Sequence, residues 1–290
     1  MKELLLIDTH ALVHRFFHAL PPLTARDGSP AQALFGVSRV LLSILLKEQP
    51  DYVAAALDRP ETTIRKTQFA EYKAHRAPTA DALISQIKQI PELLKTFRVP
   101  TFSMAGYEAD DVIGTLATRF SSAPDLRIAI LSGDLDLLQL VRDDHVVVHI
   151  LKSGLENTML YNEPAVRTRY ELNPQQLIDY KGLVGDTSDN IPGVPGIGPK
   201  NAKDLLREFG TLEEIFENLP LIKSTISTKL SEARDQAFLS RNLATIETKM
   251  PIPACELSEL ARKPIPKKDL MAYFEKLGFQ SLIKQIENIT

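Results

Sequence analysis

The chain is 290 residues long, 44% hydrophobic, with a formal net charge of −3. That length and apolar content can bury a full core, as one large domain or two modest ones. The single Cys255 excludes an internal disulfide and reads as an inert thiol, and the four-residue apolar run 4–7 is too short for a signal peptide. No run approaches the roughly 20 apolar residues of a membrane helix, so no membrane partner is expected and a reducing cytoplasm is the expected location.

Up to about residue 160, apolar runs of strand length alternate with amphipathic stretches, the pattern of βαβ units. Strands are predicted at residues 4–7, 52–57, 127–131 and 146–150. Helices are predicted at 33–47, at 81–98 with a kink at Pro91, and at 109–120. From about Asn173 the strand signal stops and helices are predicted at 174–184, 199–209, 212–218, 224–243 and 267–277. Pro174 and Pro199 occupy first helical positions. The boundary is placed near residue 165, separating an α/β domain (1–165) from a helical domain (166–290) within a continuous fold.

Nine acids, Asp8, Asp58, Glu108, Asp110, Asp111, Asp134, Asp136, Asp186 and Asp189, fall where strands end, helices begin or a glycine-rich turn opens. Asp8 follows LLLI, Asp58 follows YVAAAL and Asp134 follows IAILSG, so three parallel strands would deliver them to one sheet edge. Ligands of open α/β sheets bind at that edge. Carboxylates crowded together raise one another's pKa unless cations neutralise them, and an all-oxygen set suits magnesium or manganese, not zinc. The first-turn acids of GYEADDVIGTL also suit a helix dipole, and the DxD of SGDLDLLQL also suits a solvated turn, unless its backbone is extended enough for both carboxylates to face one ion.

The segment KGLVGDTSDNIPGVPGIGPKNAKDLL, residues 181–206, joins two predicted helices through a turn rich in glycine and proline. Gly193, Gly196 and Gly198 let the backbone turn tightly and offer N–H groups to phosphate, and Lys200 and Lys203 add charge along the next helix. Such a unit grips a phosphodiester backbone without reading bases. Between Asp58 and Asp81, Arg65, Lys66, Lys73 and Arg76 interleave with Phe69 and Tyr72, charge for phosphate and rings for stacking a single strand. A solvated amphipathic helix is the plainer account of that run. His10, His14 and His18 recur every four residues, but without an accompanying Glu they make a poor zinc motif. Setting aside the nine carboxylates raises the net charge from −3 to +6, so a nucleic-acid partner remains open.

The segments LLIDTHALVHRFFHAL, EYKAHRAP, GYEADDVIGTL, SGDLDLLQL and GDTSDNIPGVPGIGPKNA, in this order, make the chain resemble the bacterial 5′-nuclease (flap endonuclease) family across essentially its whole length. The resemblance implies a mostly parallel PIN-like sheet flanked by helices, a helical arch at about 60–98 and a helix-three-turn-helix at about 174–209 that holds duplex DNA. It implies that the nine carboxylates bind two Mg²⁺ or Mn²⁺ ions. One group would be Asp8, Asp58, Glu108 and Asp110, the other Asp134, Asp136, Asp186 and Asp189, with Asp111 behind them. Lys73 and Arg76 match the arch cations that act on the scissile phosphate, and the hairpin matches an element that holds K⁺ in relatives. Leu135 departs from the lysine frequent between the two aspartates of the DxD. The implied activity is cleavage of 5′ flaps, nicks and RNA-primer ends in replication and repair, by a monomer at the nucleoid, fused to or acting with a DNA polymerase. A non-catalytic DNA-junction module and a PIN-like RNase are the alternatives.

Overall fold

The computed structural model describes residues 1–152 and 158–288. Six strands form one sheet: β1 (Lys2–Asp8), β2 (Tyr52–Ala56), β3 (Thr101–Phe102), β4 (Leu126–Ser132), β5 (Val146–Leu151) and β6 (Thr158–Tyr161), in the order β3-β2-β1-β4-β5-β6. The first five are parallel, and β6 closes one edge antiparallel to β5. Central β1 is covered on both faces, which is why it reads as an unbroken apolar run. Leu5 and Ile7 enter one core, Leu4 and Leu6 the other.

On the Leu5 face lie α1 (Thr9–Ala19), α2 (Gln32–Ser43), α4 (Asp81–Ile87) and α5 (Ile90–Thr96), while the short α3 (Ile64–Gln68) stands over the edge of the sheet near Glu108. On the other face lie α6 (Ala109–Phe120) and α7 (Glu163–Tyr170). A third core unites α8 (Leu177–Val184), α9 (Pro199–Phe209), α10 (Leu212–Glu217), α11 (Ser224–Glu232) and the start of α12 (Arg234–Ala244). The chain then returns: Ile246, Met250, Ile252 and Leu260 join the α6 face, and α13 (Lys267–Leu277) and α14 (Gln280–Glu287) join the α2 face. The last helices therefore complete the α/β layer, whereas composition alone had grouped them with the helical half.

Three helices expected as continuous are divided. The 81–98 helix breaks at Lys88–Gln89 because Pro91 cannot donate its N–H and its ring opposes the Ile87 carbonyl, so Pro91 sits in the first turn of α5. The 224–243 helix bends out of helical geometry at Ala233 (φ −116°, ψ 24°), and Pro174 opens a 3₁₀ turn before α8. Strand β3 has two residues and β6 four, too few to display a period of two. Among the described residues no helix is long and apolar enough to cross a membrane.

Three glycines in the turn between α8 and α9 have positive φ, Gly185 (75°), Gly193 (63°) and Gly196 (78°), and the first two meet at its base. Asp186 and Ile191 exchange backbone hydrogen bonds of 2.9 and 2.8 Å, which presses Gly193 onto Gly185. A Cβ at Gly193 would lie 2.2 Å from the Gly185 nitrogen, whereas one at Gly198 would meet nothing within 4 Å. Gly193→Ala should therefore cost about 2–4 kcal/mol in urea denaturation, and Gly198→Ala less than about 0.5 kcal/mol.

Candidate active site

The carboxyl ends of β1, β2 and β4 face one crevice, at the point where the strand order reverses between β1 and β4. Asp8 ends β1 and is 2% exposed. It accepts the Ala11 N–H (3.0 Å), capping α1, and the Ser132 hydroxyl (2.5 Å) from the end of β4. Parallel register, with Ile7 opposite Leu131, brings those two residues together. Asp58, just beyond β2, accepts the Ala109 N–H at 2.5 Å, and its other oxygen lies 3.5 Å from His10 Nε2.

Acids open α6 because its first N–H groups need acceptors. Glu108 and Asp111 form a reciprocal capping box there. Asp110 projects from the same turn and makes no hydrogen bond or ion pair among the described residues. A cavity of about 240 Å³ is lined by Asp8, Asp58, Glu108, Asp110 and Asp134, with His10, His14, Lys73 and Arg76. A second, of about 640 Å³, shares Asp134 and reaches Asp136, Asp186 and Lys181, flanked by Tyr170 and Tyr180. Asp134 joins the two.

The electrostatics match this crowding. Burial, with added repulsion from Asp58 and Asp134, raises Asp8 to about 7. Burial and then Asp8, Asp134 and Asp136 raise Asp110 well above its ordinary value. Burial and then Asp134 raise Asp136 to about 6, against the pull of Lys181. Burial opposes ionisation of Asp186 as well, yet hydrogen bonds from Lys181 and Ser188 hold it below its ordinary value. Burial, then His10 and His18, lower His14 to about 4, so this imidazole is neutral at neutral pH. Among the described residues no three acidic, histidine or cysteine side chains close around one point. The uncompensated Asp110 and the oxygen-only donor set nevertheless fit a hard divalent cation.

The segment 65–76 carries the cations. Lys73 Nζ lies 2.9 Å from Glu108 and 3.8 Å from Asp189, and Arg76 lies 2.5 Å from Asp189. Lys73 is held at φ 53°, its N–H bonded to the Asp189 carbonyl (2.8 Å), a strained backbone fixed by the hairpin. Asp189 therefore sits with Glu108, away from the Asp136 and Asp186 group in which the sequence reading placed it. The 134–136 stretch is not extended either: Leu135 is helical, Asp136 donates its N–H to Asp134 Oδ1 (2.9 Å), and Asp136 turns to Lys181.

Two residues expected to meet single-stranded DNA face inward. Tyr72, 2% exposed, packs with Ile191, Leu243 and Ala244 and donates its hydroxyl to Glu108 (3.0 Å). Arg65 grips Asp111 with both terminal nitrogens (2.8 and 2.6 Å) and also donates to the Leu243 and Thr245 carbonyls. Asp111, 1% exposed, is thereby committed to this pair and to the Glu247 N–H, behind the crevice. Lys66 donates to the Tyr72 carbonyl at 3.0 Å.

In the hairpin, Gly193 is buried with its N–H on Ser240, while Gly196, Gly198 and Lys200 are exposed. Lys203 is paired with Glu171 (2.9 Å). The sequence reading missed Ser132 and Lys181. Ser132 closes an apolar strand beside Gly133, and Lys181 stands five residues before Asp186; neither type carries a metal signature, so only the fold reveals their contacts.

Two family models match consecutive stretches of the chain: the 5′-3′ exonuclease N-terminal resolvase-like domain over residues 3–171, and the 5′-3′ exonuclease C-terminal SAM fold over residues 172–268. DNA polymerase I of Caldicellulosiruptor bescii is 43% identical across 98% of this chain and 33% of that protein, so the chain spans about a third of that relative. A 5′-3′ exonuclease of Aquifex aeolicus is 35% identical across 100% of this chain and 96% of that protein. The fold is shared with a bacteriophage T5 flap endonuclease in a pseudo-enzyme-product complex with DNA and metal ions, with a TM-score of 0.70, 22% identity and coverage of 98% of this chain and 99% of that one. With both family models in consecutive order and a full-length relative above 30% identity, the chain belongs to the 5′-3′ exonuclease family.

Proposed function

We propose that the chain is a structure-selective 5′ nuclease that hydrolyses DNA phosphodiester bonds beside single-strand to double-strand junctions, at 5′ flaps, nicks and RNA-primer ends, in primer removal and repair. The observation that carries this reading is the pair of carboxylate cavities joined at Asp134 and bordered by Lys73 and Arg76 on one side and the hairpin aspartate Asp186 on the other. The DNA and metal ions of the T5 relative's structure support it.

Asp8, Asp58, Glu108 and Asp110 would hold one Mg²⁺, and Asp134, Asp136 and Asp186 a second, with Mn²⁺ as a substitute. When bound, such ions supply Lewis acidity and lower the pKa of water. The protein's own part is charge and position. Arg65 fixes Asp111, whose capping of α6 orients Glu108 toward the cavity. Lys73 and Arg76 stand at its rim, preorganised where negative charge would accumulate on the scissile phosphate. Asp189 holds both cations there and is a positioning group. Exposed Lys200 and the N–H groups at the start of α9 would grip duplex phosphates, with backbone carbonyls of the turn holding K⁺. We place catalysis in residues 1–165 and the duplex grip in 174–209, in a monomer acting in the cytoplasm with, or as part of, a DNA polymerase.

A 5′-labelled flap duplex tests the function: products should appear with Mg²⁺ and none with EDTA, while binding persists in Ca²⁺. Binding without cleavage in Mg²⁺ would leave only a junction-binding module. Lys73→Ala should lower the single-turnover cleavage rate by about 10²-fold and change duplex affinity by less than about threefold. Cleavage at the wild-type rate would remove Lys73 from the chemistry.

Stability should report the carboxylates independently. Between pH 6.5 and 8 Asp8 loses a proton in the folded state that the unfolded chain has already lost, so folding stability falls as pH rises. His14, whose folded pKa is depressed to about 4 from 6.5, acts in the opposite sense while the unfolded chain sheds its last histidine protons, and offsets part of the fall in the lower half of this window. The thermal midpoint in EDTA should therefore drop across this window, and millimolar Mg²⁺ should flatten the drop.

A further inference from the structure

We infer that Lys181 is a built-in counter-ion of the second carboxylate group, occupying by its ammonium the oxygens that a second divalent ion would need, and so sets the two cavities to different metal affinities. This rests on the reading of both cavities as metal sites.

The contacts are direct. Lys181 lies in the last turn of α8, and its Nζ is ion-paired with Asp136 Oδ1 and lies 2.6 Å from Asp186 Oδ2. The ammonium is largely enclosed, with 19% of the side chain exposed. Asp186 has no oxygen to spare, because Oδ1 accepts the Ser188 N–H (2.8 Å) and hydroxyl (2.6 Å). Backbone geometry fixes the arrangement: the α8 carbonyl of Lys181 accepts the Gly185 N–H at 2.8 Å, and the Gly185 turn folds Asp186 back over the helix end.

The first cavity is different in kind. Asp110 has no partner among the described residues, and the hydrogen bonds to Asp8 come from neutral donors, Ser132 and the Ala11 N–H. Within that set only Glu108 carries cations, Lys73 (2.9 Å) and Arg65 (3.2 Å), both on the side of the cationic segment. Asp8, Asp58 and Asp110 thus keep their oxygens clear of any ammonium or guanidinium among the described residues, whereas Asp136 and Asp186 share one. An ammonium and a divalent cation compete for the same oxygens, so Lys181 on Asp136 and Asp186 opposes binding of the second ion. A phosphate oxygen entering the larger cavity offers the displaced ammonium a new partner, which would make occupancy of the second set depend on the nucleic acid.

Removing a merely structural ion pair leaves metal affinity unchanged or lowers it; removing a competitor raises it. Mn²⁺ titration of the intact chain, with free Mn²⁺ followed by electron paramagnetic resonance, should show two unequal sites in the wild type. Lys181→Met should tighten the weaker site by about tenfold and leave the tighter one within about twofold, and Lys181→Arg should keep the gap. Lys181→Gln, which retains a donor without charge, carries the same expectation if the Met variant does not fold. Thermal melts give a second reading: the Met variant should melt below wild type in EDTA, and Mn²⁺ should raise its midpoint more than that of wild type. A weaker site that is unchanged or weakened in both uncharged variants overturns the inference alone, leaving the nuclease reading intact. Absence of any Mn²⁺ binding to the wild type overturns both.

Discussion

Mutual repulsion among carboxylates at the edge of a parallel sheet is the constraint around which the rest of this molecule is arranged. Burying Asp8 beneath the ends of β1 and β4 with Asp134 close by opposes ionisation of Asp8 and of Asp110. The scaffold has to be stiff enough to keep them there. A five-stranded parallel core covered on both faces provides that stiffness, and its register, with Ile7 opposite Leu131, sets Ser132 beside Asp8.

Around this strained centre the remaining charges fall into layers. Arg65 and Asp111 form a buried pair behind α6, which neutralises one acid and uses it to orient Glu108. Lys73, Arg76 and Asp189 form a second layer at the rim, and Lys181 with Asp136 and Asp186 a third. The same sequence stretch therefore holds cations of different purpose. Arg65 belongs to the scaffold, Lys73 and Arg76 to the cavity.

The sheet, the strand-end acids and the glycine turn were legible because each leaves a local trace: an unbroken apolar run, an acid closing it, a positive-φ residue that only glycine adopts easily. What stayed hidden was long-range. Tyr72 reads as an exposed ring among basic residues, yet its burial is decided by Ile191, Leu243 and Ala244, more than a hundred residues away. Asp189 looks like a partner of Asp186 by spacing, but in the turn closed by the Asp186–Ile191 bonds the two part, Asp186 to Lys181 and Asp189 to Arg76. Helices α13 and α14 carry the amphipathic pattern of any packed helix, which names a buried face without naming what buries it. The break at Pro91, by contrast, was legible as a kink and needed only the fold to become a turn.

The return of residues beyond Ala244 to the sheet gives the hairpin layer an unusual mechanical footing. It leaves the α/β layer at Tyr170 and re-enters it at Ile246, so it is spliced in at two places instead of hanging from one. The Phe69–Tyr72 contacts with Ile191 and Leu239 add a third anchorage, through the cationic segment itself. A body held this way cannot swing freely as a tethered domain does. The Lys73 N–H on the Asp189 carbonyl and the Arg76 pair with Asp189 bond the cationic segment to the hairpin directly. The position of Lys73 and Arg76 at the cavity is therefore set by the turn between α8 and α9 as much as by their own segment.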